Sequence, residues 1–210
     1  MRRAEPLADL IELRLDHLDR PAEFVLPRSE KRLIFTLRPQ REGGRADDDA
    51  MRRLEIWNRI LPQISKDRDV LIDLERDIVP FVKVPREMRI CSLHDLEGIP
   101  VRINEIFAEL TADGSMAKIA YRADDATDVI PLLKLLQTAV VEHMPFVPAA
   151  MGEAGKFLRI IGPALGAAFS FSSLETGNET AAGQLSAADM CDVYRFDRLS
   201  RNSQIFGVIA

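Results

Sequence analysis

The sequence holds a few side chains whose type and setting suit covalent and acid–base chemistry. Lys118 lies in Met116-Ala117-Lys118-Ile119-Ala120, a short apolar run with one charge in its middle. A lysine there has two readings. Its amine can escape into water from a strand end. Alternatively the amine is kept partly dry, so that its pKa falls and it can attack a carbonyl. A free lysine, with a pKa of about 10.4, is protonated at neutral pH and is no nucleophile. Bringing it to roughly 7–8 takes burial and cationic neighbours. His94 closes the apolar stretch Cys91-Ser92-Leu93-His94, and Arg38 and Glu42 sit in Arg38-Pro39-Gln40-Arg41-Glu42-Gly43-Gly44. Arg159 follows Gly155-Lys156-Phe157-Leu158. Alone, His94 reads as structural and the other three as surface charges; their order along the chain makes them worth positioning.

The elements that would position them alternate between strand and helix. Strands are predicted at 10–15, 32–38, 69–75, 88–94, 116–121, 146–151 and 166–173. Helical spacing of apolar residues runs through 48–64 (Leu54, Trp57, Ile60, Leu61), 100–112 (Ile103, Ile106, Phe107, Leu110) and 127–142 (Val129, Leu132, Leu133, Leu136). Asp47, Thr127 and Ser186 are suited to cap helices. Pro80 and Pro85 break 76–87 into a short turn or helix. Alternation at this spacing predicts an α/β fold with a parallel sheet. In the first strand Glu12, Arg14 and Asp16 share one face and Ile11, Leu13 and Leu15 the other. Thr36 with Arg38, and Asp73 with Glu75, repeat the pattern. One apolar face and one that gathers charge toward the C-terminal end suits a closed (β/α)8 barrel better than an open sheet covered on both faces. Seven strands are counted, so the barrel is expected to lack its first βα unit.

The 210 residues are 47% hydrophobic, enough for one full core. Acids and bases are interspersed at a net charge of −5, which argues against a nucleic-acid partner. No apolar run is long enough to span a membrane. Cys91 and Cys191 make no disulfide framework, and a cytoplasmic setting is expected. The histidines and cysteines fall at no metal-ligand spacing, and no phosphate-cradling glycine motif is present.

Taken in order, Ile-Glu-Leu-Arg-Leu-Asp (11–16), Phe-Thr-Leu-Arg (35–38), Glu-Gly-Gly (42–44), Ile-Asp-Leu-Glu (72–75), Ser-Leu-His-Asp (92–95), Lys-Ile-Ala (118–120), Met-Gly (151–152) with Gly155 and Arg159, and Ala-Gly-Gln (182–184) resemble the type I 3-dehydroquinate dehydratases of the shikimate pathway. Each piece is weak alone, and the ordered set, spanning about residues 10–190, is specific. The resemblance implies a TIM-type barrel that dehydrates 3-dehydroquinate without a cofactor. It implies that Lys118 forms the Schiff base, that His94 is the general base and acid, and that Glu42 orients His94. It implies that Arg159 clamps the substrate carboxylate and that Glu12, Arg14 and Arg38 hold its hydroxyls and set local charge. Thr180 and Gln184 would come from a loop that closes over the substrate. Thr180 stands where the family usually has serine, and Ala-Ala-Gly-Gln replaces the frequent Ala-Pro-Gly-Gln, so the loop is expected to be less preorganised. Residues 1–192 are assigned to the barrel. Residues 193–210, ending Ile-Phe-Gly-Val-Ile-Ala, resemble the linker and first strand of a fused shikimate dehydrogenase. A homodimer or such a fusion is the expected assembly. Two other readings share part of this pattern. A class I aldolase-type lyase explains Lys118 but not the Glu-Gly-Gly, His-Asp and Ala-Gly-Gln set. A non-catalytic barrel that docks or helps fold a dehydrogenase explains the tail.

Overall fold

The computed structural model describes residues 3–64, 69–175, 177 and 180–203, in two compact units, Met1–Arg122 and Ala123–Ala210. In the first unit, five strands run parallel: β1 (Leu10–Arg14), β2 (Arg32–Thr36), β3 (Val70–Glu75), β4 (Arg89–Asp95) and β5 (Met116–Arg122). Each pairs with the next in sequence order, as βα units with short connections require. Their apolar residues bury Phe35, Leu37, Ile72 and Leu74 against α1 (Ala50–Ile60), whose inward stripe is Arg53, Leu54, Trp57 and Ile60. Trp57 is fully buried, a contribution of about 2–3 kcal/mol for a large apolar side chain. The next helix, α2 (Ile103–Thr111), buries Ile103, Ile106, Phe107 and Leu110, the four residues its spacing selects.

The second unit contains α3 (Ile130–Val141), β6 (Phe146–Met151), α4 (Lys156–Leu165) and α5 (Ala187–Asp192). Strand β6 is buried along its whole length.

Several boundaries differ from the sequence reading. Asp49, not Asp47, caps α1, its carboxylate accepting from the Met51 amide at 2.8 Å, while Asp47 accepts from the Asp49 amide. Asp125, not Thr127, caps the turn before α3, in a reciprocal box with Asp128. Ser186 caps α5 as expected. The 76–87 stretch makes two single 3-10 turns, Val79–Phe81 and Arg86–Met88. The seventh predicted strand does not form. Within 166–173, Phe and Ser alternate over residues 169–172, and Phe169 and Phe171 do share a face, their rings edge-on at 5.4 Å. The backbone of this stretch, however, makes an isolated bridge, Ser173 with Ser186, and a bond from the Ala168 amide to the Phe146 carbonyl at 2.9 Å, but no continuous ladder among the described residues. An extended, period-two segment becomes a strand only where a neighbour offers a ladder. Six strands therefore form among the described residues. Residues 204–210, which hold the predicted dehydrogenase-like strand, lie outside them.

Candidate active site

The parallel register stacks the polar face of the first unit into rows. Arg14 lies opposite Thr36 and Thr36 opposite Asp73; Glu75 lies opposite Ser92, and Ser92 opposite Lys118; His94 follows one step on, opposite Ala120. Side chains two residues apart point the same way, so these rows put Asp73, Glu75, Ser92, His94 and Lys118 on one face.

Arg38, two residues past β2, is the hub. Only 3% exposed, it faces three carboxyl groups: its Nη2 is 2.8 Å from Asp73 Oδ1, and its Nη1 is 3.3 Å from Glu42 Oε2 and 3.1 Å from Glu75 Oε1. Nη1 also donates to Ser92 Oγ at 2.9 Å. Lys118, itself 5% exposed, donates from Nζ to Asp73 Oδ2 at 2.8 Å. Glu42 is carried by a single turn that ends at Gly43 in the left-handed region. Gly44 next to it has no room for a side chain, since a Cβ would lie 2.0 Å from the Arg38 carbonyl oxygen. The Glu-Gly-Gly motif thus folds Glu42 tightly back toward Arg38. Glu42 Oε2 accepts from the His94 backbone amide at 3.0 Å and meets His94 Nδ1 at 3.1 Å. Because a carboxylate accepts, Nδ1 carries the proton and Nε2 is left with its lone pair.

Electrostatics follow from burial and this charge cluster. Burial lowers His94 well below the ordinary imidazole range, and Arg38 and Lys118 lower it further, so the ring is neutral at neutral pH. Burial would lift Asp73, but Arg38 and Lys118 outweigh it and hold that carboxyl well below the usual carboxylate range. Burial raises Glu42 despite Arg38 and Arg41. Glu75 is pushed up to about 8, mainly by burial and by the nearby Asp73 and Glu42.

Glu12 and Arg14 sit lower on the same face. Glu12 Oε1 accepts the Thr36 hydroxyl at 2.7 Å. Arg14 forks onto Asp16, both bonds at 2.8 Å. Asp16 is not the last residue of a strand face, as the sequence pattern suggested, but lies in a buried 3-10 turn after β1. Lys118, His94, Glu42 and Arg38 are thus tied into one network, while Glu12 and Arg14 have partners of their own. Sequence reasoning gave no role to Asp73, Glu75 or Ser92, although all three stood in quoted motifs; their position on the polar face was the available signal.

The other three predicted residues lie in the second unit, Arg159 on α4 and Thr180 and Gln184 on the loop it reaches. Arg159, in the first turns of α4, is 4% exposed. It donates from Nη2 to the Ala182 carbonyl at 3.5 Å, its Nε has no hydrogen-bond acceptor, and no carboxylate pairs with it among the described residues. Burial alone lowers it to about 10, which leaves it cationic at neutral pH. The loop 180–184 is sewn to the end of β6 by the Gly152 amide, which donates to the Ala182 carbonyl at 3.0 Å. Gln184 Oε1 accepts from the Thr180 amide at 2.9 Å and hydroxyl at 3.3 Å. Glu153, Lys156 and residues 180–184 line a cleft of about 460 Å³.

Among the described residues no group of three or more His, Cys, Asp or Glu is placed to hold a metal ion. No helix among them is long and apolar enough to cross a membrane.

Comparison with known proteins places these features in a family. The family model described as type I 3-dehydroquinase matches residues 1–201. A 3-dehydroquinate dehydratase of Methanopyrus kandleri is 30% identical over 194 residues, covering 87% of this chain and 84% of its own length. A chloroplastic bifunctional 3-dehydroquinate dehydratase/shikimate dehydrogenase of Arabidopsis thaliana is 28% identical; the match covers 96% of this chain but only 35% of that protein. The crystal structure of 3-dehydroquinate dehydratase from Geobacillus kaustophilus superposes with a TM-score of 0.73 at 25% identity, covering 92% of this chain and 84% of that one.

Proposed function

Because this chain belongs to the type I 3-dehydroquinase family, we propose that it is a carbon–oxygen lyase that eliminates water from 3-dehydroquinate to give 3-dehydroshikimate, a step of the shikimate pathway toward chorismate and the aromatic amino acids. The observation that carries the chemistry is the tethering of a buried amine and a neutral imidazole to one polar network, Lys118 through Asp73 and His94 through Glu42. Lys118 Nζ adds to the C3 ketone and water leaves, forming an iminium that draws electrons from the neighbouring C2–H bond. His94 Nε2 takes that proton and delivers it to the departing hydroxyl, which leaves as water. Hydrolysis of the product imine consumes one water and frees Lys118, so one water is released per turnover. The iminium is itself the electron sink, so the proposal calls for no cofactor.

Arg159 is the carboxylate clamp in this reading. A buried guanidinium with an unused Nε is suited to accept an anion, and Thr180 and Gln184 come from the loop that touches it. Glu12, Arg14 and Arg38 are assigned to substrate hydroxyls and local charge. For Arg38 the three carboxyl neighbours favour the second of these jobs. The free Cys91 and Cys191 support a reducing, cytoplasmic setting. We further propose residues 1–192 as the catalytic barrel and 193–210 as a linker and first strand toward a shikimate dehydrogenase domain, with the Arabidopsis relative's fused architecture as support; a homodimer is the alternative assembly.

Turnover tests the reading. Purified protein given 3-dehydroquinate should generate the conjugated enone absorbance of 3-dehydroshikimate. His94→Ala should lower kcat by roughly 10²–10⁴-fold. A protein that produces no enone contradicts the proposal.

A further inference from the structure

Arg38 Nη1 has two hydrogens and three neighbours within reach. One hydrogen is donated to Ser92 Oγ at 2.9 Å and the other to Glu42 Oε2 at 3.3 Å. This leaves none for Glu75 Oε1, which lies 3.1 Å away yet accepts no hydrogen bond. The Ser92 hydroxyl, fully buried, has one proton of its own. Its acceptors are Asp73 Oδ1 at 2.5 Å and, more weakly, the Leu74 carbonyl at 3.3 Å. Since Ser92 Oγ already accepts from Arg38, its proton goes to Asp73. The directions of a continuous chain are therefore set: His94 Nδ1–H to Glu42, Arg38 to Glu42, Arg38 to Ser92, Ser92 to Asp73, and Lys118 Nζ–H to Asp73. Between the two ends of this chain, His94 and Lys118, Ser92 is the one hydroxyl link among ionisable groups. It also stands between Glu75 and Lys118 in the strand register.

We propose that Ser92 is a positioning residue for the reaction: it fixes the Asp73 carboxylate under the Lys118 amine and couples that pair, through Arg38, to Glu42 and His94. This rests on the dehydratase reading given above. Ser92 touches no reacting atom. Without its hydroxyl, Asp73 Oδ1 loses a donor and can turn, and the freed Arg38 hydrogen can move to Glu75. The amine and the imidazole would then be joined only through the ion pair of Arg38 Nη2 with Asp73 Oδ1, 2.8 Å apart but without a hydrogen bond, and no longer through a continuous chain of hydrogen bonds. Substrate contacts made by other residues would be untouched, so the loss should appear in kcat rather than KM.

The test is Ser92→Ala, a change of one buried atom. Expected is a fall in kcat of roughly ten- to a hundredfold, the range for a hydrogen bond to a charged group, with KM within about threefold. Ser92→Cys, a weaker and longer donor, should fall between wild type and Ala. A Ser92→Ala enzyme with wild-type kcat overturns the proposal; so does one that raises KM alone. If circular dichroism shows Ser92→Ala unfolded, Ser92→Cys decides by the same two criteria. Protein without substrate gives an independent readout, the NMR titration of the His94 imidazole. Its midpoint should move in the variant, and an unmoved midpoint speaks against the coupling. If the wild type itself makes no enone, the dehydratase reading fails, and the His94 titration still judges the coupling.

Discussion

Glu75 holds a carboxyl group with no hydrogen-bond donor inside a charge cluster, and the pH dependence of the protein should reveal it. Its pKa is raised to about 8, chiefly by burial, with Arg38 and Arg53 pulling down and Asp73 and Glu42 pushing up. For a group whose folded pKa lies above its unfolded one, the stabilising form is the protonated one. That stability is complete below the ordinary carboxylate range and is lost as the pH rises through about 8. His94 works in the opposite direction: its depressed pKa means that the neutral ring supports the fold, and this support is lost as the pH falls below the ordinary imidazole range. Urea unfolding of the wild type should therefore show stability falling on both sides of a middle optimum. Glu75→Gln, neutral at every pH, should flatten the alkaline side alone; a variant whose alkaline slope matches the wild type contradicts the assignment. Also at this scale, Glu42→Gln takes the charge off the acceptor that fixes the His94 tautomer. It should lower kcat roughly ten- to a hundredfold, and steady-state kinetics at neutral pH check this. The residues of the candidate site were legible in the sequence as types and order. Their partners were not: that Arg38 would meet Asp73, Glu75 and Glu42 together depends on the register of β2 against β3 and on the turn that carries Glu42, which no local motif encodes.

In the second unit, the element proposed to retain substrate is the loop 180–184 on the end of β6. Gly183 lies in the left-handed region, and a Cβ there would come 2.3 Å from the Gly152 carbonyl oxygen. The close approach lets the Gly152 amide hold Ala182 and lets Arg159 reach the same carbonyl. Gly183→Ala should push the loop off this seat, raising KM for 3-dehydroquinate more than it lowers kcat; unchanged KM would show that the loop tolerates a side chain. Arg159→Gln should raise KM by roughly ten- to a hundredfold, as expected when a buried charge-assisted bond to a carboxylate is lost. The helices α1, α2 and α3 were read from sequence nearly to their ends, because their buried residues recur at helical spacing, while no bounds were read for α4 and α5. The caps slipped by two residues where several Asp and Thr side chains compete within one turn. The 166–173 segment was misread because alternation reports side-chain direction, not the presence of a ladder partner.

For the whole molecule, the sequence carried the fold class through strand faces that are apolar on one side and charged on the other, and the α/β barrel-type relatives bear that class out. The residues proposed for imine and proton chemistry, Lys118, His94 and Glu42, lie in the first unit, and those proposed to hold the carboxylate end of the substrate lie in the second. In the proposed mechanism an iminium replaces a Lewis acid as the electron sink, so dialysis against a chelator should leave the dehydration rate unchanged; a rate restored only by added metal would contradict this. The central claim is that Lys118 forms that iminium. Borohydride added to the protein with 3-dehydroquinate or its product should reduce the imine to a stable amine, and peptide mass spectrometry should find the added mass on Lys118 and lose it in Lys118→Ala. Absence of any adduct, or an adduct that persists in Lys118→Ala, contradicts the account.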